Sequence, residues 1–105
     1  MDRVGQYRRI VCQFLKDFAE GDPEAQLVFD TERNRYLVLY SGWRGESRIY
    51  GCAIYLDVIE EKVWIQQNST EIDVYRELVE QGIAAKDLVL GFRSPAIRER
   101  LAAAL

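Results

Sequence analysis

"SRIYGCAIYLDV", Ser47 to Val58, is the stretch on which the fold turns. Its apolar residues alternate with a period of two and are too many for one side. Tyr50, Cys52, Ile54, Leu56 and Val58 share one face and are expected against the core, while Ile49, Gly51, Ala53 and Tyr55 share the other. A strand apolar on both sides is a central strand with cover over each surface. Working upstream, "RGE" supplies Gly45 for a tight turn, and "AQLVFD" (Ala25 to Asp30) and "RYLVLYSGW" (Arg35 to Trp43), separated by the polar "TERN", read as a hairpin. Working downstream, "IEE" turns the chain into "KVWIQQ", where Val63 and Ile65 alternate with Trp64 and Gln66. Consecutive antiparallel strands of this kind form a meander, which needs helices to cover a face.

On either side of the meander the period lengthens. Val4, Tyr7, Val11, Phe14, Leu15 and Phe18 make one amphipathic helical stripe, ended by Gly21 and Pro23 in "EGDPE". After "KVWIQQ", Asn68, Ser69, Thr70, Glu71 and Asp73 read as a turn with a helix cap, Thr70 being the N-cap and Asp73 an acid in the first turn. Ile72, Tyr75, Leu78 and Val79 form the stripe of that helix, and Gly82 with Ile83 gives it a Schellman ending against Leu78. "IAAKDLVLGF" is a short turn followed by an extended apolar piece, a candidate edge strand. "SPAIRERLAAAL" opens a last helix with Ser94 as cap and Pro95 at its first position. The predicted fold is α+β and two-layered: one domain over residues 1–105, with an N-terminal helix, a four-stranded antiparallel meander and C-terminal helices.

Composition narrows the chemistry. At 105 residues, with 49% hydrophobic and 30% charged residues, the chain is an ordinary globular one. No apolar run approaches the roughly 18 residues of a membrane span, and "MDRVGQYRR" is too polar for a signal peptide, so the expected location is cytoplasmic, with no membrane partner. The absence of histidine removes the commonest general base and metal ligand. Cys12 and Cys52 stand alone, as buried reduced thiols rather than a zinc site or disulfide framework. Glu60 with Glu61, and Glu71 with Asp73, have the spacing of solvated carboxylates rather than of a catalytic pair, and no glycine run follows a phosphate-loop pattern. No enzyme activity, cofactor, metal or small-molecule substrate is expected.

Aromatic side chains are the more suggestive feature. Tyr36, Tyr40, Trp43, Tyr50, Tyr55 and Trp64 fall on predicted strands, and exposed ones suit a protein interface. The alternative is a nucleic-acid module that stacks bases on an aromatic sheet, with Arg3, Arg8, Arg9, Arg93, Arg98 and Arg100 on the phosphates. The net charge of −3 weighs against it. The placement of these arginines discriminates the two: one stripe beside exposed aromatics favours nucleic acid, scatter favours protein.

Four motifs occur in order: "GW.G....YGC" (Gly42 to Cys52), "WIQ...TE" (Trp64 to Glu71), "ELVEQGI..KDLVLGF" (Glu77 to Phe92) and "P..R" (Pro95 to Arg98). With the amino-terminal "DRVGQYRRIV" they make the whole chain resemble the XisI family, cyanobacterial proteins named as controlling factors for excision of the fdxN DNA element. The resemblance implies an α+β domain with a four-stranded antiparallel sheet. It also implies an accessory role beside an XisH-like protein, with the DNA chemistry done by a separate site-specific recombinase, so that contact with a recombinase–DNA complex is indirect. This chain departs from the family pattern at Asn68-Ser69, at Ala84 and in the "ERLAAAL" tail. Residues expected to bind a partner are Trp43, Trp64, Gln66, Arg93 and Arg98. Homo-oligomerisation is expected too, because a small domain has few helices with which to cover both faces of its third strand.

Overall fold

The computed structural model describes residues 2–103. Helix α1 (Arg3–Ala19) buries Tyr7, Val11, Phe14 and Leu15, with Val4 and Phe18 packed at the margins, which is the stripe its sequence spacing dictates. Gly21 then takes a positive φ of 78° that stops the helix at little steric cost. Strands β1 (Ala25–Asp30), β2 (Arg35–Arg44), β3 (Ser47–Ile59) and β4 (Lys62–Asn68) follow as the antiparallel meander. In the β1–β2 turn, the backbone N–H groups of Glu32 and Arg33 donate to Asp30 Oδ1, and Asn34 adopts the left-handed conformation that Asn tolerates.

The sheet has five strands, not four. β5 (Leu88–Leu90) pairs with β4 in parallel, giving the order β1-β2-β3-β4-β5 and a mixed sheet. A parallel neighbour requires a crossover. Here it is helix α2 (Val74–Glu80) and a 3-10 turn (Ala85–Asp87). α2 ends as a Schellman motif: the N–H of Ile83 donates to Leu78 O at 3.0 Å and that of Gly82 to Val79 O at 3.1 Å, with Leu78 and Ile83 both fully buried. Helix α3 (Pro95–Ala103) is capped by Ser94 Oγ, which accepts from Ile97 N–H.

α1 and α2 lie on the same face, over Tyr36, Val38, Ile54, Leu56, Val63 and Ile65. Two bulges shape the other side. Val38 pairs with Ile54 but Leu39 with Cys52, leaving Ala53 as the extra residue of β3; Tyr55 pairs with Gln67 but Leu56 with Ile65, leaving Gln66 as the extra residue of β4. A bulge inverts the alternation beyond it. Thus Ile54, Leu56 and Val58 face the helices as expected, whereas Cys52 and Tyr50, paired with Leu39 and Ser41, turn to the opposite, outer face. The single core face read from the sequence is broken at Ala53. Tyr50 is 68% exposed and Cys52 is half-buried.

β2 and β3 also outrun their neighbours. β1 begins opposite Tyr40 and β4 ends opposite Ile54, so Ser41–Arg44 and Ser47–Tyr50 continue as a two-stranded arm closed by Gly45 at a φ of 60°. The arm lengthens the molecule to 47 × 32 × 24 Å, with a radius of gyration of 14.6 Å. A compact chain of this size would have about 13 Å.

Candidate interaction surface

The five residues expected at a partner site separate into two places. Trp43 sits on the arm and is 59% exposed. Beside it, Arg48 lies 5.2 Å from the Trp43 ring centroid and 5.9 Å from that of Tyr50, and bonds Ser41 Oγ at 2.8 Å. The guanidinium is within cation–π reach of both rings, which nonetheless stay largely exposed. Gly42, next to Trp43, leaves room for Glu24, since a Cβ there would collide with its carboxylate, and Glu24 in turn binds Arg44 at 3.2 Å.

Trp64, Gln66, Arg93 and Arg98 gather instead where β4, β5 and α3 meet. Trp64 pairs with Asp57 on β3 and Val89 on β5, which puts it on the outer face, and the Arg98 guanidinium of α3 covers its ring at 5.0 Å. Gln66, thrown outward by its bulge, donates from Nε2 to Asp57 Oδ2 at 3.1 Å. Its Oε1 occupies the place where a Cβ on Gly91 would lie, and this accounts for the glycine of "LGF". Arg93 stacks on Phe92 at 5.0 Å. Phe92 and Leu101, both about half exposed, border an apolar cavity of about 450 Å3 with Ile65, Val74, Tyr75 and Leu90.

The segment Asn68–Asp73 is a turn with a cap, but the cap is not Thr70. Asn68 Oδ1 accepts from both the N–H and the hydroxyl of Thr70, its Nδ2 donates to Ile72 O, and Thr70 Oγ1 accepts from Ile72 N–H. Thr70 is therefore consumed by the turn, and Asp73 takes the N-cap position, accepting from Arg76 N–H at 3.1 Å. Ser69 bridges to β3, donating to Cys52 O and accepting from Gln67 Nε2. Glu71 is exposed.

Two acids passed over in the sequence are buried. Asp87 accepts from the Tyr7 hydroxyl at 2.5 Å and has Arg3 at 4.0 Å, tying α1 to the turn before β5. Burial first, and then this hydrogen bond, raises the Tyr7 hydroxyl above the usual tyrosine value. Asp57, 6% exposed, accepts from Tyr55 and Gln66 through Oδ2, while Oδ1 has no partner among the described residues. The available signal was a lone aspartate inside "AIYLDVI", a polar residue amid strand-forming apolar ones.

The arginines scatter. Arg3 and Arg8 are engaged with Asp87 and Asn34 on the helical side, Arg93 and Arg98 lie on rings at the β5 edge, and Arg48 attends the exposed aromatics of the arm. Both cysteines are free and half-buried, and burial pushes both thiols up. Among the described residues no three His, Cys, Asp or Glu side chains are grouped to hold a metal ion, and no helix is long and apolar enough to cross a membrane.

This arrangement of helix, five strands and edge helix matches a known family. The family model described as XisI protein covers residues 1–104. The chain belongs to the XisI family. It is similar to the crystal structure of a XisI-like protein from Anabaena variabilis, with 38% identity over 92% of this chain and 94% of that one and a TM-score of 0.87. It is also similar to the fdxN element excision controlling factor XisI of the same organism, with 31% identity over 92% of this chain and 99% of that one and a TM-score of 0.77. No curated protein sequence matches.

Proposed function

We propose that this XisI-family chain is a controlling factor for excision of a DNA element, acting in the cytoplasm without catalysing a reaction itself. The supporting observation is the family match across residues 1–104, together with the likeness to a solved protein named as an excision controlling factor. On this reading the chain binds an XisH-like protein, and a separate recombinase breaks and joins the DNA. The β4–β5–α3 corner supplies the contact. Phe92 and Leu101 offer apolar anchors beside the cavity, and Arg93 and Arg98 lie on the rings of Phe92 and Trp64. Aromatic and arginine side chains of this kind carry most of the binding energy at protein interfaces.

Co-expression with the XisH-like protein, followed by pull-down, tests this reading. Phe92→Ala or Arg98→Ala should weaken the complex by about 2 kcal/mol, roughly thirtyfold. Glu71→Ala should leave it intact. The reading of the chain as a direct nucleic-acid module draws on the Trp43–Arg48–Tyr50 stack of the arm. Tight DNA binding by the chain alone that survives moderate salt, with no XisH-like complex formed, would favour that alternative.

A further inference from the structure

The sheet ends on one side in β1, whose backbone is only half used. Ser41 N–H donates to Glu24 O at 3.3 Å, and Val58 N–H donates to Asn34 O at 2.9 Å. Hydrogen-bonded pairs of an antiparallel ladder recur at every second residue. In the observed register Gln26, Val28 and Asp30 therefore direct their backbone groups to Leu39, Leu37 and Arg35 of β2, while those of Leu27 and Phe29 point away from the sheet. Ala25 is closed off, because its N–H donates to Asp22 O at 3.2 Å. Leu27 and Phe29 have no such backbone partner among the described residues. An open edge is normally blunted by proline, lysine or a bulge. Ala25–Asp30 contains none of these: it pairs residue for residue with β2, and Leu27 and Val28 are exposed. The opposite edge, β5, is only three residues long and has Arg98 and Leu101 of α3 beside it.

We infer that the β1 edge is a strand-addition site for an extended, basic segment of another protein. Open N–H and C=O groups at alternate residues of a strand are matched by one chemistry, a second extended backbone. Charge selects its sequence. Glu20, Asp22, Glu24, Asp30 and Glu32 flank the edge and outnumber Arg33, Arg35 and Arg44 around it. A second copy of this chain meets a conflict there. Pairing Leu27 with Phe29 of a two-fold mate sets Glu24 of each copy opposite Glu32 of the other, and pairing Leu27 with itself sets Glu24 opposite Asp30. A basic strand has no such conflict, and lysines or arginines at its ends lie against these carboxylates. The faces complete the description. Leu27 and Phe29 lie on the helix-covered side with Val38 and Tyr36, so the added strand carries apolar residues opposite them. Val28 lies between Gln26 and Asp30 on the outer face, so polar residues suit the positions between. β1 and β5 are opposite ends of the sheet, so this site neither rests on nor competes with the proposed XisH-like contact.

The probe is a fluorescein-labelled synthetic peptide of alternating valine and threonine with lysines at both ends. Anisotropy with the full chain should show saturable binding at micromolar concentration, and the same peptide ended by glutamates should bind about tenfold more weakly. On binding, the amides of Leu27 and Phe29 should slow in hydrogen exchange by about tenfold or more, while those of Gln26 and Val28, already paired to β2, change little. Methylating the valine nitrogens of the peptide, which face β1, should abolish binding, whereas methylating the threonine nitrogens should not. Leu27→Pro removes one outward N–H and leaves the bonds to β2, as proline on an edge strand can, so it should lose the peptide with unchanged circular dichroism. Glu20→Lys with Glu32→Lys should reverse the preference in favour of the glutamate-ended peptide. Phe92→Ala should bind the peptide as the wild type does, which separates this site from the β4–β5–α3 corner. No binding of the lysine-ended peptide, or equal binding of its valine-methylated form, overturns the inference. If Leu27→Pro does not fold, the charge-swapped variant and the exchange of Leu27 and Phe29 decide. A chain whose light-scattering mass doubles, with Leu27 and Phe29 amides protected until dilution, assigns the edge to a second copy and likewise overturns it.

Discussion

Tyr7, Tyr36, Tyr40 and Tyr55 are all held above the ordinary tyrosine value, chiefly by burial. A raised pKa in the folded state means that the folded chain keeps protons the unfolded chain has already released. The stability this represents is complete below the unfolded value of about 10 and is lost as pH rises through the folded values. Urea titrations should therefore show constant midpoints around neutral pH, a first small fall from about 8.5 because the two thiols are likewise raised by burial, and a steeper fall above about 10; a flat profile through that range would contradict the burial of these groups. Tyr7→Phe should cost about 1–3 kcal/mol by leaving buried Asp87 without its donor, and should make the alkaline fall shallower. Asp57 and Asp87 escaped the sequence reading because burial of an acid depends on what other strands and helices place over it. The alternation that located Leu56 and Val58 correctly carries no such information.

The elements themselves were largely legible. α1, β1 to β4 and α2 follow periodicities long enough to be distinctive, Gly21 and Gly82 mark helix ends, and Pro95 marks the start of α3. What escaped were the features set by pairing. β5 has three residues, too few for a period, and its parallel partner is chosen by the α2 crossover. The bulges at Ala53 and Gln66 exist only in register with a neighbour, and the first of them moved Cys52 and Tyr50 to the outer face. Thr70 and Asp73 both suit an N-cap, and the hydrogen bonds of Asn68 decided between them. Asp73→Ala should accordingly destabilise the fold by about 1 kcal/mol, whereas Glu71→Ala should be close to neutral. The β3–β4 turn offers the opposite test. Glu60 and Glu61 both have positive φ, 51° and 63°, a conformation that Asn and Gly adopt more readily. The double substitution Glu60→Asn with Glu61→Gly should therefore stabilise the fold by about 1 kcal/mol, read in thermal unfolding as a rise in Tm of about 4–8 °C.

At the scale of the whole molecule, one sheet divides two tasks. Its inner face, closed by α1 and α2, builds the core, while its outer face and arm leave aromatic and apolar side chains unburied. The partner residues chosen from sequence are divided in place: Trp64, Gln66, Arg93 and Arg98 meet at the β5 edge, and Trp43 stands apart on the arm. That division could not be read from spacing, since it depends on how far β2 and β3 outrun β1 and β4. On the proposed function, the chain should influence excision only through other proteins. The direct measurement is quantitative PCR of the excised junction in cells carrying an XisI-controlled element, with the recombinase and the XisH-like protein each present or absent. Adding this chain should change excision frequency when both proteins are present, Phe92→Ala or Arg98→Ala should abolish that change, and no junction should form without the recombinase. Junction formed by this chain in the absence of recombinase, or a frequency unaffected by the chain when both proteins are present, would contradict the account.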